Sequence, residues 1–434
     1  MSSRDIRNME SGGRAGRWIG LCLFTLVLTL MLIATLAPGS AASGQSSARS
    51  IALAGAYTGL ATGVEAARYN PANLGLGDRR NSELQLVGVG VNLTNNSLTL
   101  DDYNRYTGAV LSQEDKDYLL GKIPTDGLHL TAEVEATAMS ISFGSFVLST
   151  TGVGAANINL NRDVIDLILN GNTIGEDISL EGSYSDVIGY VETGLSYGMP
   201  LYSTAHSQLA VGATAKYIRG LAVERITELD GSVNTWSTGF EGSGNLVAQT
   251  ATGGSGWGVD VGAALKLSDD YSVGLSVRNL ISNINWTNNT EEHGYIFSFD
   301  TMTVDNISDD YIVSEEYTED IDPFSTSLPQ VMTVGLANTT GKLLWAIDWV
   351  QGFETTAGSS AKPRIAAGAE WLGLGFVPLR AGFGTGGIQG TGFSFGSGLN
   401  LSPFVIDAAV QTGATLSSGS AKGLNVAFSI GLDF

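Results

Sequence analysis

From Leu84 to the carboxy terminus, apolar and polar positions alternate with a period of two in one stretch after another. The last stretch is the clearest. Leu424, Val426, Phe428, Ile430, Leu432 and Phe434 are apolar, and Asn425, Ala427, Ser429, Gly431 and Asp433 between them are polar or small. A period of two sends these sets to opposite faces of a strand. In water, a terminal strand with one apolar face and an open edge is an aggregation hazard. In a closed barrel its edge pairs with the first strand and its apolar face meets lipid. Taken alone, the strand also fits a soluble β-protein, so the rest of the chain has to decide.

The same alternation covers Leu84–Leu93, with a phase slip near Val87, and Leu128–Ala138, where His129, Thr131, Glu133, Glu135 and Thr137 take the inward face. It returns at Leu209–Tyr217 and in a hairpin of Trp257–Leu267 with Tyr271–Val277. Six further stretches follow, at about 331–337, 343–350, 365–371, 377–383, 391–399 and 404–411. Periodicity alone supports twelve to sixteen strands. Two short helices interrupt the rhythm, one from Ser112 through Leu120 with Ser112 as cap and Asp115 three positions on, the other over Asp163–Leu169. The acidic stretch Thr301–Asp322 reads as a long loop. Barrels keep short turns in the periplasm and long loops outside, which puts all three insertions on the outer side.

Residues 43–80 break the pattern. Ser50–Leu60 is small and apolar, Ala61–Tyr69 can make two helical turns, and Pro71 forces Asn70 out of the helical region. A compact segment rich in Ala and Gly ahead of the first strand suits a lumen, where its charges Glu65 and Arg68 would find inward-facing polar partners. We therefore expect three parts: a secretory leader at 1–42, a hatch at 43–80 and a barrel at 81–434.

The leader follows from Arg4, Arg7, Arg14 and Arg17, the apolar run Trp18–Ala37, and the small residues Ser40, Ala41 and Ala42. The apolar run is long, and an uncleaved anchor is the alternative. The single cysteine, Cys22, lies in this run, so the mature chain has no thiol chemistry. Charged residues make up 15%, below the roughly 25% of soluble domains. Removing the leader takes the net charge from −21 to about −23, which argues against nucleic acid.

Ala54-Gly55-Ala56 followed by Tyr69-Asn70-Pro71-Ala72-Asn73-Leu74 resembles the amino-terminal hatch of the FadL-type outer-membrane transporters and their PorV-like relatives. Leu328-Pro329, Trp345–Trp349 with Asp348, Gly368–Trp371 and Leu379–Gly382 extend the resemblance in outline. It implies an all-β transmembrane antiparallel barrel of fourteen strands in a bacterial outer membrane. It also implies a non-enzymatic role, without cofactor, in passive transport of a hydrophobic small molecule gated at Gly55, Ala56, Asn70, Pro71 and Ala72. The PorV-like alternative is a shuttle or scaffold for secreted proteins, and an orphan structural barrel is the third.

From the residues themselves, Glu370 and Arg380 share the inward parity of consecutive strands and form a candidate lumen ion pair. Phe428, Ile430, Leu432 and Phe434 are the candidate closing strand, facing lipid and presented to the barrel assembly machinery. Trp345, Trp349 and Trp371 lie on the apolar parity, as interface belt or as packing. His129, His206 and His293 have no partner at metal-ligand spacing, and the acidic stretch lacks the glycine and spacing of a calcium loop. The glycine-rich run Gly382–Gly398 lacks the Lys-Ser/Thr of a phosphate loop and reads as strand glycines that allow bends or close approach.

Overall fold

In a computed structural model, the described residues are 47–77, 82–171, 174–175, 177–204, 207–267, 270–302, 312–356, 359–387, 390–413 and 421–434. The expected leader at 1–42 and His206 lie outside them. The strands are β1 (Glu83–Asn95), β2 (Leu128–Phe143), β3 (Phe146–Leu160), β4 (Asp177–Ser179), β5 (Tyr184–Ser203), β6 (Ser207–Trp236), β7 (Gly239–Leu267), β8 (Tyr271–Trp286) and β9 (Glu291–Met302). They continue as β10 (Ile312–Asp320), β11 (Phe324–Thr326), β12 (Val331–Asn338), β13 (Leu343–Gly352), β14 (Arg364–Trp371), β15 (Leu379–Gly386), β16 (Gly392–Leu401), β17 (Phe404–Gly413) and β18 (Gly423–Asp433).

Fourteen of these pair antiparallel in succession, with β4, β9, β10 and β11 left out of the ring, and β1 closes it against β18 from Glu83↔Asp433 to Thr94↔Gly423. Closure satisfies every edge, the condition for strands in hydrocarbon. The alternation sorts the faces: on β2, Glu133, Glu135 and Thr137 are buried inside and Val134 is exposed outside. On β18, Asn425 and Ala427 face in, and Phe428 faces out. The phase slip near Val87 is a register shift between Gln85 and Val87 against β18.

Short connections such as 144–145, 339–342, 372–378 and 402–403 gather at the end that carries Phe434. The opposite end holds the helices Leu100–Tyr106, Gln113–Lys122 and Arg162–Asn170. The Gln113–Lys122 helix starts with a capping box in which Ser112 and Asp115 bond reciprocally.

Two expectations are corrected here. The acidic stretch is not simply a loop: Ile312–Asp320 is a strand paired with β9, from Ile312↔Phe299 to Asp320↔Glu291, while 303–311 lie outside the described residues. Glu315, Glu316 and Glu319 therefore sit on a ladder, where β-branched neighbours and cross-strand bonding outweigh their low strand propensity. The strands at Leu209–Tyr217 and Trp257–Leu267 also run much further, to 30 and 29 residues. A membrane strand needs only ~9–11 residues, so β6 and β7 rise beyond the bilayer at the long-loop end. There they join β4, β9 and β10 in a sheet ordered β4-β6-β7-β9-β10. Polar residues continue the alternation above the bilayer, and nothing in the period marks where lipid ends.

Candidate functional site

Residues 47–77 lie inside the ring. Their side and main chains meet strands from all round it, from Glu83 on β1 and Glu135 on β2 to Asp348 on β13 and Glu370 on β14. The segment is two short helices, Ala48–Ala52 and Gly63–Tyr69, and a 3-10 turn, Pro71–Gly75. Too short to stand alone, it has its exposed polar groups met by the wall. Asp348 Oδ2 accepts from Tyr57 N at 3.0 Å and Thr58 N at 2.8 Å. Arg364 Nη1 donates to Ala54 O at 2.7 Å, and Glu83 Oε2 accepts from Val64 N at 3.1 Å.

Glycines in the wall let the segment come this close. A Cβ at Gly382 would stand 2.5 Å from Ala54 N, and one at Gly198 2.5 Å from Gly75 N. Real Cβ atoms do not make such contacts, and both neighbours are backbone. The glycine-rich run is thus partly a seat: Gly382 faces Leu53 and Ala54, and Gly396 faces Ala52.

Two sets of buried charges bind the segment to the wall. In the first, Glu370 is held between two guanidinium groups. Arg380 Nε donates to its Oε1 at 2.7 Å, and Arg49 donates to Oε2 from Nη2 at 2.6 Å and Nε at 3.1 Å. Arg380 Nη1 also donates to Asp407 Oδ1 at 2.5 Å. Arg49 Nη1 reaches Tyr57 OH at 3.2 Å, and that hydroxyl donates to Glu65. The second set runs across the lumen. Arg68 pairs with Glu135 and stands 3.6 Å from Glu192; Lys216 lies 3.4 Å from Glu192 and 2.9 Å from Asp260. Removing one member of such a buried pair typically costs ~3–5 kcal/mol.

Between the sets is a polar cavity of about 40 Å³ lined by Glu65, Arg68, Gln85, Ser140, Glu192 and Arg278, among others. That volume suits a few waters rather than an organic molecule. Towards the long loops the lumen wall turns apolar: Ile218, Val223, Ala251, Ile284, Trp286 and Leu328 pack together. Trp286 is fully buried and donates from Nε1 to Thr326 Oγ1 at 2.9 Å. Among the described residues no group of three His, Cys, Asp or Glu is placed to hold a metal. His129 Nδ1 lies 3.1 Å from Tyr184 OH, and His293 lies 3.5 Å from Glu291.

Of the gating candidates, Gly55 takes φ 88° in a turn whose N–H donates to Ser50 O at 2.9 Å, and Ala56 is buried. Asn70 caps the 3-10 turn through Ala72 N at 3.1 Å and bonds the wall through Nδ2 to Ala263 O at 3.0 Å. Pro71 is the first residue of that turn and lies against Gly212. Glu370 and Arg380 are directly opposed in register. Phe428 and Phe434 are exposed, and Ile430 and Leu432 are half-buried beside them. Sequence reasoning missed Arg49, Tyr57, Lys216, Asp260 and Asp407. Their signal was available in part, since Lys216, Asp260 and Asp407 are charges on the inward parity of apolar strands.

These strands make a closed fourteen-stranded antiparallel barrel with the amino-terminal segment inside it. Residues 81–251 and 238–342 match a family described as a family of unknown function (DUF5723), and because the match covers more than half the chain, the protein belongs to that family. Among solved structures it is similar to the Ralstonia pickettii toluene transporter TbuX, at 14% identity over 90% of this chain and 99% of that one, with a TM-score of 0.50. It is likewise similar to the P. putida toluene transporter TodX, at 11% identity over 92% and 99%, with a TM-score of 0.51. Likeness at such identity establishes the fold. No curated protein matches this sequence.

Proposed function

We propose that the protein is a passive outer-membrane transporter for a hydrophobic small molecule, with residues 43–80 as its hatch. The observation that carries this reading is how the inner segment is held. Among the described residues it shares no ladder with the barrel and is seated by side-chain bonds and glycine contacts, the attachment of a part that can shift while the wall stays closed. The apolar cluster around Trp286 gives the outer half of the lumen a surface for a hydrophobic molecule, and the similar barrels TbuX and TodX are toluene transporters. Its surroundings would be outer-membrane lipid and, during insertion, the barrel assembly machinery.

Deleting Ser50–Ala72 should leave a folded, heat-modifiable barrel and raise its permeability to small dyes, with Pro71→Gly raising it weakly. Unchanged dye flux through a folded deletion barrel would remove the hatch and the transport reading with it. The sheet that β6, β7, β9 and β10 raise above the bilayer favours one other reading, a PorV-like shuttle or scaffold that holds secreted proteins at the surface. Protein rather than lipid co-purifying through that sheet would decide for it.

A further inference from the structure

Above the wall, β7 leaves β8 at Gly254↔Trp286 and pairs with β9 from Thr250↔Glu291 to Gly242↔Phe299. The stretch beside β8, 254–267, already exceeds the ~9–11 residues that cross lipid. Gly244 lies ten residues beyond Gly254, roughly 33 Å of strand, so this part of the sheet stands clear of hydrocarbon. Ala251 and Val247 keep the lumen parity. The alternate positions Leu246, Gly244 and Gly242, opposed by Tyr295, Phe297 and Phe299, therefore continue the outward face that lower down meets lipid.

Clear of hydrocarbon, that face stays aromatic. Tyr295, Phe297 and Phe299 follow at every second position of β9, with successive ring centroids 6.1 Å apart and the last two rings 15° from parallel. The rings lie down across β7: a Cβ at Gly244 would stand 2.5 Å from Phe297 Cε1, and one at Gly242 2.7 Å from Phe299 Cζ. Glycine thus gives each phenyl ring a floor and leaves its other face upward, and all three aromatic residues are half-buried. Beside this strip on the same face, β10 places Ser314 opposite Phe297 and Glu316 opposite Tyr295, both exposed. Across β9 and β10 there is neither Lys nor Arg.

A row of ring faces beside a hydroxyl and a carboxylate matches the two sides of a sugar. A pyranose offers C–H groups that rest on the electron-rich face of an aromatic ring, and its edge hydroxyls donate to a carboxylate in charge-assisted bonds. Hydrocarbon would use the rings and leave Glu316 idle. A phosphorylated sugar, or a second copy of this acidic chain, would bring negative charge to a face without a cation.

We propose that the outward face of β7, β9 and β10 is a docking platform for the neutral hexoses of outer-leaflet glycolipids, the sugars that stand above the hydrocarbon around the barrel. Phe297 and Phe299 stack on the rings of the sugar, and Glu316 and Ser314 bond its hydroxyls. Continuity with the lipid-facing side selects a membrane-anchored sugar over a soluble one. The platform does not depend on transport, since it lies outside the lumen.

The test places full-length barrel in vesicles with and without a diacylglycerol that bears a neutral oligohexose. Hydrogen exchange is followed over 291–299 and 312–320, and native mass spectrometry counts the lipids retained on release. The glycolipid should slow exchange in both stretches and stay bound through release. Phe297→Leu/Phe299→Leu keeps an apolar surface but removes the rings, and should cut glycolipid retention several-fold while phospholipid retention is unchanged. Glu316→Gln, at an exposed position, should weaken retention in a barrel whose fold is untouched, and Phe297→Trp should strengthen it. Heat modifiability confirms the fold of each variant. Unchanged glycolipid retention in the double leucine variant overturns the proposal, because an apolar contact then suffices. Equal protection by the free oligohexose at the same concentration overturns it by making the ligand soluble, and protection that comes with a dimer lost in the leucine variant overturns it in favour of a second copy.

Discussion

Replacing Arg380 by Ala removes the centre of the first charge set, and the geometry says which partner suffers. Glu370 keeps Arg49, whose two nitrogens remain at 2.6 and 3.1 Å from Oε2. Asp407 loses Arg380 Nη1, its 2.5 Å donor, while its residue is only 6% exposed. An orphaned buried carboxylate costs ~3–5 kcal/mol, and most of that is the stranded charge rather than the lost attraction. The sign of the double mutants then follows. Arg380→Ala with Asp407→Ala removes the stranded charge and should recover a large part of the loss. Arg380→Ala with Glu370→Ala strands both Asp407 and Arg49 and should recover little or none. The assay is urea unfolding of the barrel in vesicles followed by tryptophan fluorescence, comparing all four corners of each cycle. Strictly additive losses in the Arg380/Asp407 cycle would show that the two side chains do not share the energy the distances assign to them.

Two further expectations test the closing strand and the outer loops. Phe428→Asp puts a charge on the lipid face of the strand that seals the ring, at ~2–4 kcal/mol near the midplane, and should abolish heat-modifiable barrel in the outer membrane; normal levels would mean that this face does not meet lipid. In the outer helices, partial burial raises the Asp102 carboxyl, but bonds from Lys122 at 2.6 and 2.7 Å and from Thr99 outweigh it and hold the pKa at about 2. The folded value lies below the unfolded ~3.9, so this contribution is complete above about pH 5 and is lost as pH falls through about 2. Acid-active protease should then nick residues 100–122 of the folded barrel increasingly as pH drops through that window, and Asp102→Asn should be nicked throughout it; wild-type cleavage that does not change with pH would refute the pairing.

How much of this was legible in the sequence depends on the range of the interaction that fixes each part. The barrel was legible because period two is local: each strand shows its lipid face and its lumen face over a few residues, and Phe428 beside Ala427 already tells out from in. The phase slip at Val87 was legible for the same reason. The limits of β6 and β7 were not, since a strand that leaves lipid for water keeps its period and only its outer residues change, gradually, from Tyr217 to Arg219. The strand Ile312–Asp320 was hidden because its acidic residues disfavour a ladder that β9 nevertheless supplies.

The site divides along the same line. Glu370 and Arg380 are ten residues apart on one hairpin, and parity with turn length suffices to oppose them. Arg49 meets Glu370 across 321 residues of chain and Arg68 meets Glu135 across 67, and no local pattern selects those partners from the other inward charges. What the sequence does carry is a constraint on them. A segment with Arg49, Glu65 and Arg68 that enters a lumen must find carboxylates and donors there, because an unpaired buried charge costs more than the segment's small apolar surface returns. The wall meets this with Glu135, Glu192 and Glu370 at inward positions and glycines where the backbone must approach. The charges that hold the segment therefore have to lie on several strands at once, as Glu135 on β2, Glu192 on β5 and Glu370 on β14 do.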